Sequence, residues 1–239
     1  MGFFAVYDGH GGSLVSQFAS QEVLKQFSQL LADGPVDAKG IGDVLKRAVM
    51  KTDVALAEMN QGFGRDRFQQ EGCTAIVCVV TSTHIICANV GDSRAILVTA
   101  ADDGSPPVVI PLSEDQKPNN PKESERVRDA GMRVINCQGI HRVNGDLAVA
   151  RALGDFGFKN ADLDQDKQAV SCEPEIKIVE RNKGTPQVLC LGCDGIWDVI
   201  SNELAAEFIM SNLGTHGEIY TTVSMLNWDV SQVSNGLFG

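Results

Sequence analysis

Phe3-Phe4-Ala5-Val6-Tyr7-Asp8-Gly9-His10-Gly11-Gly12 is an apolar run that stops abruptly at an aspartate and a glycine-rich turn. It reads as a buried strand delivering a carboxylate at its C-terminal tip. The same design recurs twice. Ile86-Cys87-Ala88-Asn89-Val90-Gly91 leads into Asp92-Ser93, and Val188-Leu189-Cys190-Leu191-Gly192-Cys193 leads into Asp194-Gly195. An aspartate after a strand is a common turn former, so each alone is weak. Three of them, each beside a small residue that permits close approach, would gather like charges if the tips converge.

Around these runs the period of the apolar residues changes twice. Leu14, Phe18, Phe27, Leu30 and Leu31 recur at helical spacing up to Gly34-Pro35, and a second helix is expected from about Asp43 to Met59. From Gly72 the pattern becomes strand-like: Cys73–Val80, His84–Val90, Ala95–Thr99 and Val108–Ile110. A short helix follows with Asn120 as N-cap, Pro121 at its first position and Gly131 beyond its end. Val134-Ile135 and Leu147–Val149 are further strand candidates, residues 160–168 an acidic loop, Val188–Gly192 a buried strand, and Asn202–Leu213 a helix. Strands and helices do not alternate strictly, which disfavours a parallel doubly wound sheet. One domain of antiparallel sheets flanked by helices is expected.

Of the 239 residues 43% are hydrophobic and 21% charged, enough to build a real core. The net charge of −11 argues against nucleic acid or an anionic membrane as partner, since both demand clustered Lys and Arg. No apolar run approaches the ~18 residues of a membrane span. The start lacks the basic region of a signal peptide, and Val6 occupies the position where a myristoylation signal needs Ser or Thr. The seven cysteines are an odd count lying mostly in apolar runs, which reads as core in a reducing compartment, cytoplasmic or nuclear. Cys190 and Cys193 form an isolated C-x-x-C with no second pair, and core filler is the expected role for both.

A cluster of carboxylates is unfavourable without a cation to neutralise it, and oxygen ligands without matching His or Cys point to Mg²⁺ or Mn²⁺ rather than zinc. His10 directly follows the first carboxylate turn, and two glycines after it leave room for a substrate. A proton donor of near-neutral pKa beside metal ions suits phosphoester hydrolysis, where the leaving alkoxide needs a proton.

At this point the chain resembles the protein phosphatase 2C, or PPM, family. The matching words are Phe4–Gly12, Gly72-Cys73-Thr74-Ala75, Ala88–Ala95, Leu112–Pro118, Ala148–Asp155 and Cys193–Asp198, in the family's order and spacing over about residues 3 to 213. The resemblance implies an α+β fold, a β-sandwich of two antiparallel sheets with helices outside each, and two Mg²⁺ or Mn²⁺ ions with a third, weaker site. It implies Asp8 as the carboxylate bridging two metals, the Gly9 carbonyl as a ligand of the second, Asp194 as a ligand of the first, and Asp92 with Asp194 at the third. His10 is similar to the family's general acid, Asp8 shares the catalytic role, and Thr74 is expected to support metal-bound water. Asp155 and Asp198 also sit in family words, with supporting roles. The implied activity is hydrolysis of phosphoserine and phosphothreonine in phosphorylated protein substrates by metal-activated water, in a monomer.

Other family features have no counterpart in the match. A phosphate-gripping Arg and a Glu-Asp pair are expected upstream of Asp8, and an Asp-Asn-Met word after the helix ending near Leu213. Asp229, followed by Val230, does not fit that word, so residues 214–239 read as a divergent tail. The expectation is a single phosphatase domain over 1–239, incomplete at both ends, lacking terminal strands and exposing sheet edges. Gln116 stands where many relatives carry His. The rival reading is a catalytically impaired domain that binds phosphoproteins or a partner without turnover. A cysteine-based phosphatase is excluded because none of the cysteines has Arg six positions on. An EF-hand reading of Asp162, Asp164, Asp166 and Glu173 fails at the sharp-turn glycine, replaced by Lys167.

Overall fold

The computed structural model describes residues 1–32, 34, 37–62, 68–100, 105–182, 184–185 and 187–213. The expectations for 214–239, Asp229 included, lie outside them.

The opening run becomes strand β1 (Gly2–Val6), antiparallel to β4 (Ala75–Val80), with Phe4 opposite Cys78. Next come β5 (His84–Val90) and β11 (Glu175–Glu180), giving one antiparallel sheet of order β1-β4-β5-β11. A second antiparallel sheet has the order β12-β6-β7, from β6 (Arg94–Thr99), β7 (Val108–Pro111) and β12 (Gln187–Gly192).

The two sheets face each other. Ile76, Cys78, Ile85 and Cys87 of the first pack with Ala95 and Leu97 of the second and with Leu112 beyond β7. The opposite face of the first sheet, Val77, Val79, Ile86 and Ala88, is covered by helices α1 (Leu14–Leu31) and α2 (Ala38–Gly62) through residues such as Val15, Ala19, Leu45 and Val49. The outer face of the second sheet, Ile96 and Val98, lies under Trp197 of α4 (Asp194–Trp197) and Ala205 and Ala206 of α5 (Asn202–Leu213). These are the expected α-β-β-α layers. Burial on both faces explains why β4 and β5 read as unbroken apolar runs rather than as alternation.

Several local boundaries differ from expectation. The single strand expected over Cys73–Val80 breaks at Thr74, leaving a two-residue β3 (Gly72–Cys73). Helix α2 starts at Ala38, five residues before the expected Asp43, and its Gly42 is a packing position: a Cβ there would lie 3.0 Å from Ile176 Cγ2 of β11. Helix α3 (Pro121–Asp129) is capped as its sequence suggests, the Asn120 side chain accepting from the Lys122 N–H at 3.2 Å. A hairpin of β8 (Val134–Cys137) and β9 (Ile140–Val143) follows, and Leu147 makes one isolated bridge to Val143 instead of starting a strand. Asp164 accepts from Lys167 and Glu173 is paired with Lys46, and among the described residues these acidic side chains do not form a group that could hold a metal ion, as a calcium loop would need. Among the described residues β1 and β12 each pair on one side only, and no helix is long and apolar enough to cross a membrane.

Candidate metal centre and general acid

The three carboxylate-bearing turns are held by different devices. At the first, the Asp8 carbonyl accepts the Thr74 N–H at 2.9 Å, and β2 (Gly9–His10) pairs with β3. At the second, Gly91 adopts φ +103°, its N–H donates to Gln116 Oε1 at 2.7 Å, and its carbonyl accepts the Gln116 N–H at 3.0 Å. Gln116, at the position where the resemblance suggested His, is a buried clamp on the turn that presents Asp92. At the third, Asp194 opens helix α4, where backbone N–H groups favour an anion. The Trp197 indole N–H closes this turn against the second sheet, reaching the carbonyls of Gly192 at 2.8 Å and Arg94 at 3.1 Å. Arg94 in turn spans both carboxylate oxygens of Asp115, at 2.9 and 2.8 Å.

Asp8 and Asp194 converge. Ligand atoms of Asp8, Cys193 and Asp194 all lie within 4.8 Å of one another. Burial, then the charge of Asp194, raises the Asp8 carboxyl above the usual range. Asp92 is outside this trio and 6% exposed; burial, then the Asp194 charge, pushes it up to about 6. The nearby cation is Lys117, 3.9 Å from Asp92 Oδ2 and 2.8 Å from Asp198 Oδ1. Thr74 does not face open space: its hydroxyl is 2.7 Å from Ser93 Oγ, and both are buried. It clamps the Asp8 turn to the Asp92 turn.

His10 sits on a three-stranded patch, β2-β3-β10 with β10 (Leu153–Gly154), in which His10 and Gly154 both pair with Gly72. Its Nε2 is 2.6 Å from Asp155 Oδ2. Burial depresses the His10 imidazole, but the hydrogen bond and charge of Asp155, then the charges of Asp8 and Asp92, outweigh it and leave the ring above its ordinary pKa. The glycines after it are spatial necessities. Gly11 has φ +69°, and a Cβ there would meet the Gln70 carbonyl at 1.9 Å; one on Gly12 would meet the Glu71 carboxylate at 2.4–2.8 Å. A cavity of about 580 Å³ opens on the Gly11 side, lined by Gln70, Glu71, Asn144, Asp146 and Phe158 among others.

Sequence reasoning missed three contributors. Cys193, expected as core filler, stands with its thiol beside the two carboxylates. Glu71 accepts the first N–H groups of α1, and Asp53 with Lys159 holds Gly154. Only the Leu153-Gly154-Asp155 word hinted at the last of these, since the partners lie far apart in sequence.

Residues 1–233 match the family profile described as protein phosphatase 2C. Among curated proteins, Protein phosphatase ppm-1.A of Caenorhabditis elegans is 35% identical over 228 residues, covering 91% of this chain and 46% of that protein. Protein phosphatase 2C homolog 3 of Schizosaccharomyces pombe is 38% identical over 208 residues, covering 87% and 46%. The chain thus spans about half the length of these relatives. The solved serine-threonine phosphatase 2C of Toxoplasma gondii superposes with a TM-score of 0.73 over 89% of this chain and 74% of that one, at 20% identity, a likeness of fold. The chain belongs to the protein phosphatase 2C family.

Proposed function

We propose that this chain carries the centre of a metal-dependent protein phosphatase acting on phosphoserine and phosphothreonine. The observation that carries the reading is the Asp8–Asp194 pair, two half-buried carboxylates brought together with His10 two residues from one of them. The donor set fits a hard divalent cation: the carboxylates repel one another, and a cation removes the cost that holds Asp8 and Asp92 above their usual range. Asp8, the Gly9 carbonyl and Asp194 would hold two Mg²⁺ or Mn²⁺ ions, and Asp92 with Asp194 a third, weaker one. Such ions, when bound, supply positive charge to phosphoryl oxygens and make water a better nucleophile at neutral pH. The residues of the chain do the rest. Gly11 and Gly12 let the turn behind His10 pack directly against Gln70 and Glu71, and His10 delivers a proton to the leaving oxygen.

We assign the reaction to a single monomeric domain in the cytoplasm or nucleus, supported by seven free thiols. A binding module without turnover is the competing reading. It is favoured by the thiol in the close group, a soft donor beside the two carboxylates where a hard cation takes oxygen. Hydrolysis of an aryl phosphate with Mn²⁺, with and without chelator, separates the two. The phosphatase reading expects chelator-sensitive turnover that Asp8→Ala loses. Turnover no higher than that of Asp8→Ala supports binding alone.

A further inference from the structure

The carboxylate of Asp155 has no exposed surface, yet among the described residues one of its oxygens is partnered and the other is not. Oδ2 is 2.6 Å from His10 Nε2, while Oδ1 is buried without a hydrogen-bond partner among them. A buried carboxylate costs stability unless it is paired, so a fold that keeps one aimed at a single imidazole does so against its own stability. The backbone shows the same expense. Asp155 has φ +50° and follows Gly154 at φ +78°, two successive residues in the left-handed region. That turn is over-determined. The Gly154 N–H donates to Asp53 Oδ1 at 2.8 Å, and Asp53 is bridged by the buried Lys159 ammonium at 2.8 and 2.9 Å. The Asp155 N–H donates to the Glu71 carbonyl at 3.0 Å.

The contact also needs an empty place between its partners. Gly72 is the shared neighbour of His10 and Gly154 across the small sheet. A Cβ on Gly72 would lie 2.1 Å from Asp155 Oδ2 and 2.7 Å from His10 Nε2. The missing side chain of Gly72 is therefore the space in which the ring and the carboxylate meet.

We propose that Asp155 is a positioning residue for the reaction, its carboxylate accepting the Nε2–H of His10 so that the ring is held and Nδ1 is the nitrogen that serves the leaving group. The inference rests on the phosphatase reading above. In the step it supports, water attacks phosphorus as the phosphorus–oxygen bond to the serine or threonine side chain breaks. The departing oxygen takes the proton from His10 Nδ1, giving the free hydroxyl and inorganic phosphate. The imidazole is left neutral with its remaining proton on Nε2, still bonded to Asp155, and regains the other from solvent. Holding one tautomer and one ring orientation is worth more here than added acidity, because general acid catalysis depends first on geometry.

The test uses the whole chain and Asp155→Asn, since Asn tolerates the left-handed backbone and keeps the shape. Two substrates are compared with Mn²⁺: a phosphoserine peptide, whose alkoxide needs a proton to leave, and 2,4-dinitrophenyl phosphate, whose phenolate does not. Asp155→Asn is expected to lose about 100-fold on the peptide, in the range of general acid catalysis, and under about threefold on the aryl ester. Equal loss on both would overturn the proposal. A second arm needs no turnover. With ¹⁵N-labelled histidine, the His10 resonance, assigned through His10→Asn, is expected to show a proton on Nε2 protected from exchange, and Asp155→Asn to lose that protection. A bare Nε2 in the wild type, or protection unchanged in Asp155→Asn, overturns the proposal. If the wild type turns over neither substrate, the phosphatase reading fails for this chain and the nuclear resonance arm alone decides the role of Asp155.

Discussion

Glu71 fills the space that Gly12 leaves: its carboxylate lies 2.4–2.8 Å from where a Gly12 Cβ would be and accepts the Leu14 and Val15 N–H groups at 2.6 and 3.3 Å. A residue 57 positions away thus caps helix α1 in place of Ser13, whose side chain makes no cap bond. The glycines after His10, expected to leave room for a substrate, instead make room for Gln70 and for the carboxylate that starts this helix. Glu71→Ala should cost about 1–2 kcal/mol, as loss of a helix N-cap does. Gly12→Ala should cost a similar amount by displacing the same carboxylate, and the double variant less than the sum. Urea denaturation of the four proteins checks this; strict additivity would show that the two do not share a space.

Asp92 gives a pH-dependent prediction for the metal-free protein. Its folded pKa, about 6, lies above the ordinary aspartate value, so the folded state binds the proton more tightly than the unfolded chain does. Stability therefore falls as pH rises from the ordinary aspartate range through about 6. In chelator, Asp92→Asn should be more stable than the wild type at pH ~7 and show no gain at pH ~4. Chemical denaturation at the two pH values measures it; a gain of equal size at both would implicate something other than this charge.

Away from the centre, the Glu123 side chain is 2% exposed and meets Arg151 at 2.7 Å, with Arg126 also on it. Burial raises its pKa, but Arg151 and Arg126 outweigh burial and hold the carboxyl below the ordinary glutamate value. Its contribution is thus fully present above that ordinary value and is lost as pH falls through the folded one. Glu123→Gln should cost about 3–5 kcal/mol at neutral pH by leaving buried guanidinium groups unpaired. The gap to wild type should narrow below the ordinary glutamate range, measured by denaturant midpoints across pH.

How much of this was legible beforehand follows from the range of each interaction. Continuous apolar runs such as Ala75–Val80 and His84–Val90 announce strands buried on both faces, and Asn120-Pro121 announces a helix start, because both signals are local. The carboxylates at Asp8, Asp92 and Asp194 were legible as strand tips. The two-residue strands β2, β3 and β10 were not, since a pair of residues carries no period, and these strands bring His10 to Asp155. Glu71, Asp53 and Lys159 act across 57 to 106 positions, and no spacing rule reports that. The apolar stripe places the start of α2 near Asp43, while the helix begins at Ala38 and carries Gly42 in close approach to β11.

The buried Asp53–Lys159 pair, which holds the Gly154 turn, predicts a coupled loss of stability. Lys159 donates to both Asp53 oxygens and to the Ala152 carbonyl at 3.1 Å, while Asp53 holds the Gly154 N–H. Lys159→Met should cost about 3–5 kcal/mol by stranding a buried carboxylate, and Asp53→Leu combined with it should recover much of that. Thermal unfolding of the single and double variants decides it; a double variant as unstable as the sum of the singles would contradict the pairing.

The central claim, that the converging carboxylates hold the cations of a phosphatase, meets its most direct test in phosphate release from a phosphothreonine peptide titrated with Mn²⁺. Wild-type chain should show saturable, Mn²⁺-dependent release, reduced at least about 100-fold in Asp8→Ala and in Asp194→Asn, the scale of lost metal assistance. Release that is independent of Mn²⁺, or unchanged in both variants, would contradict it.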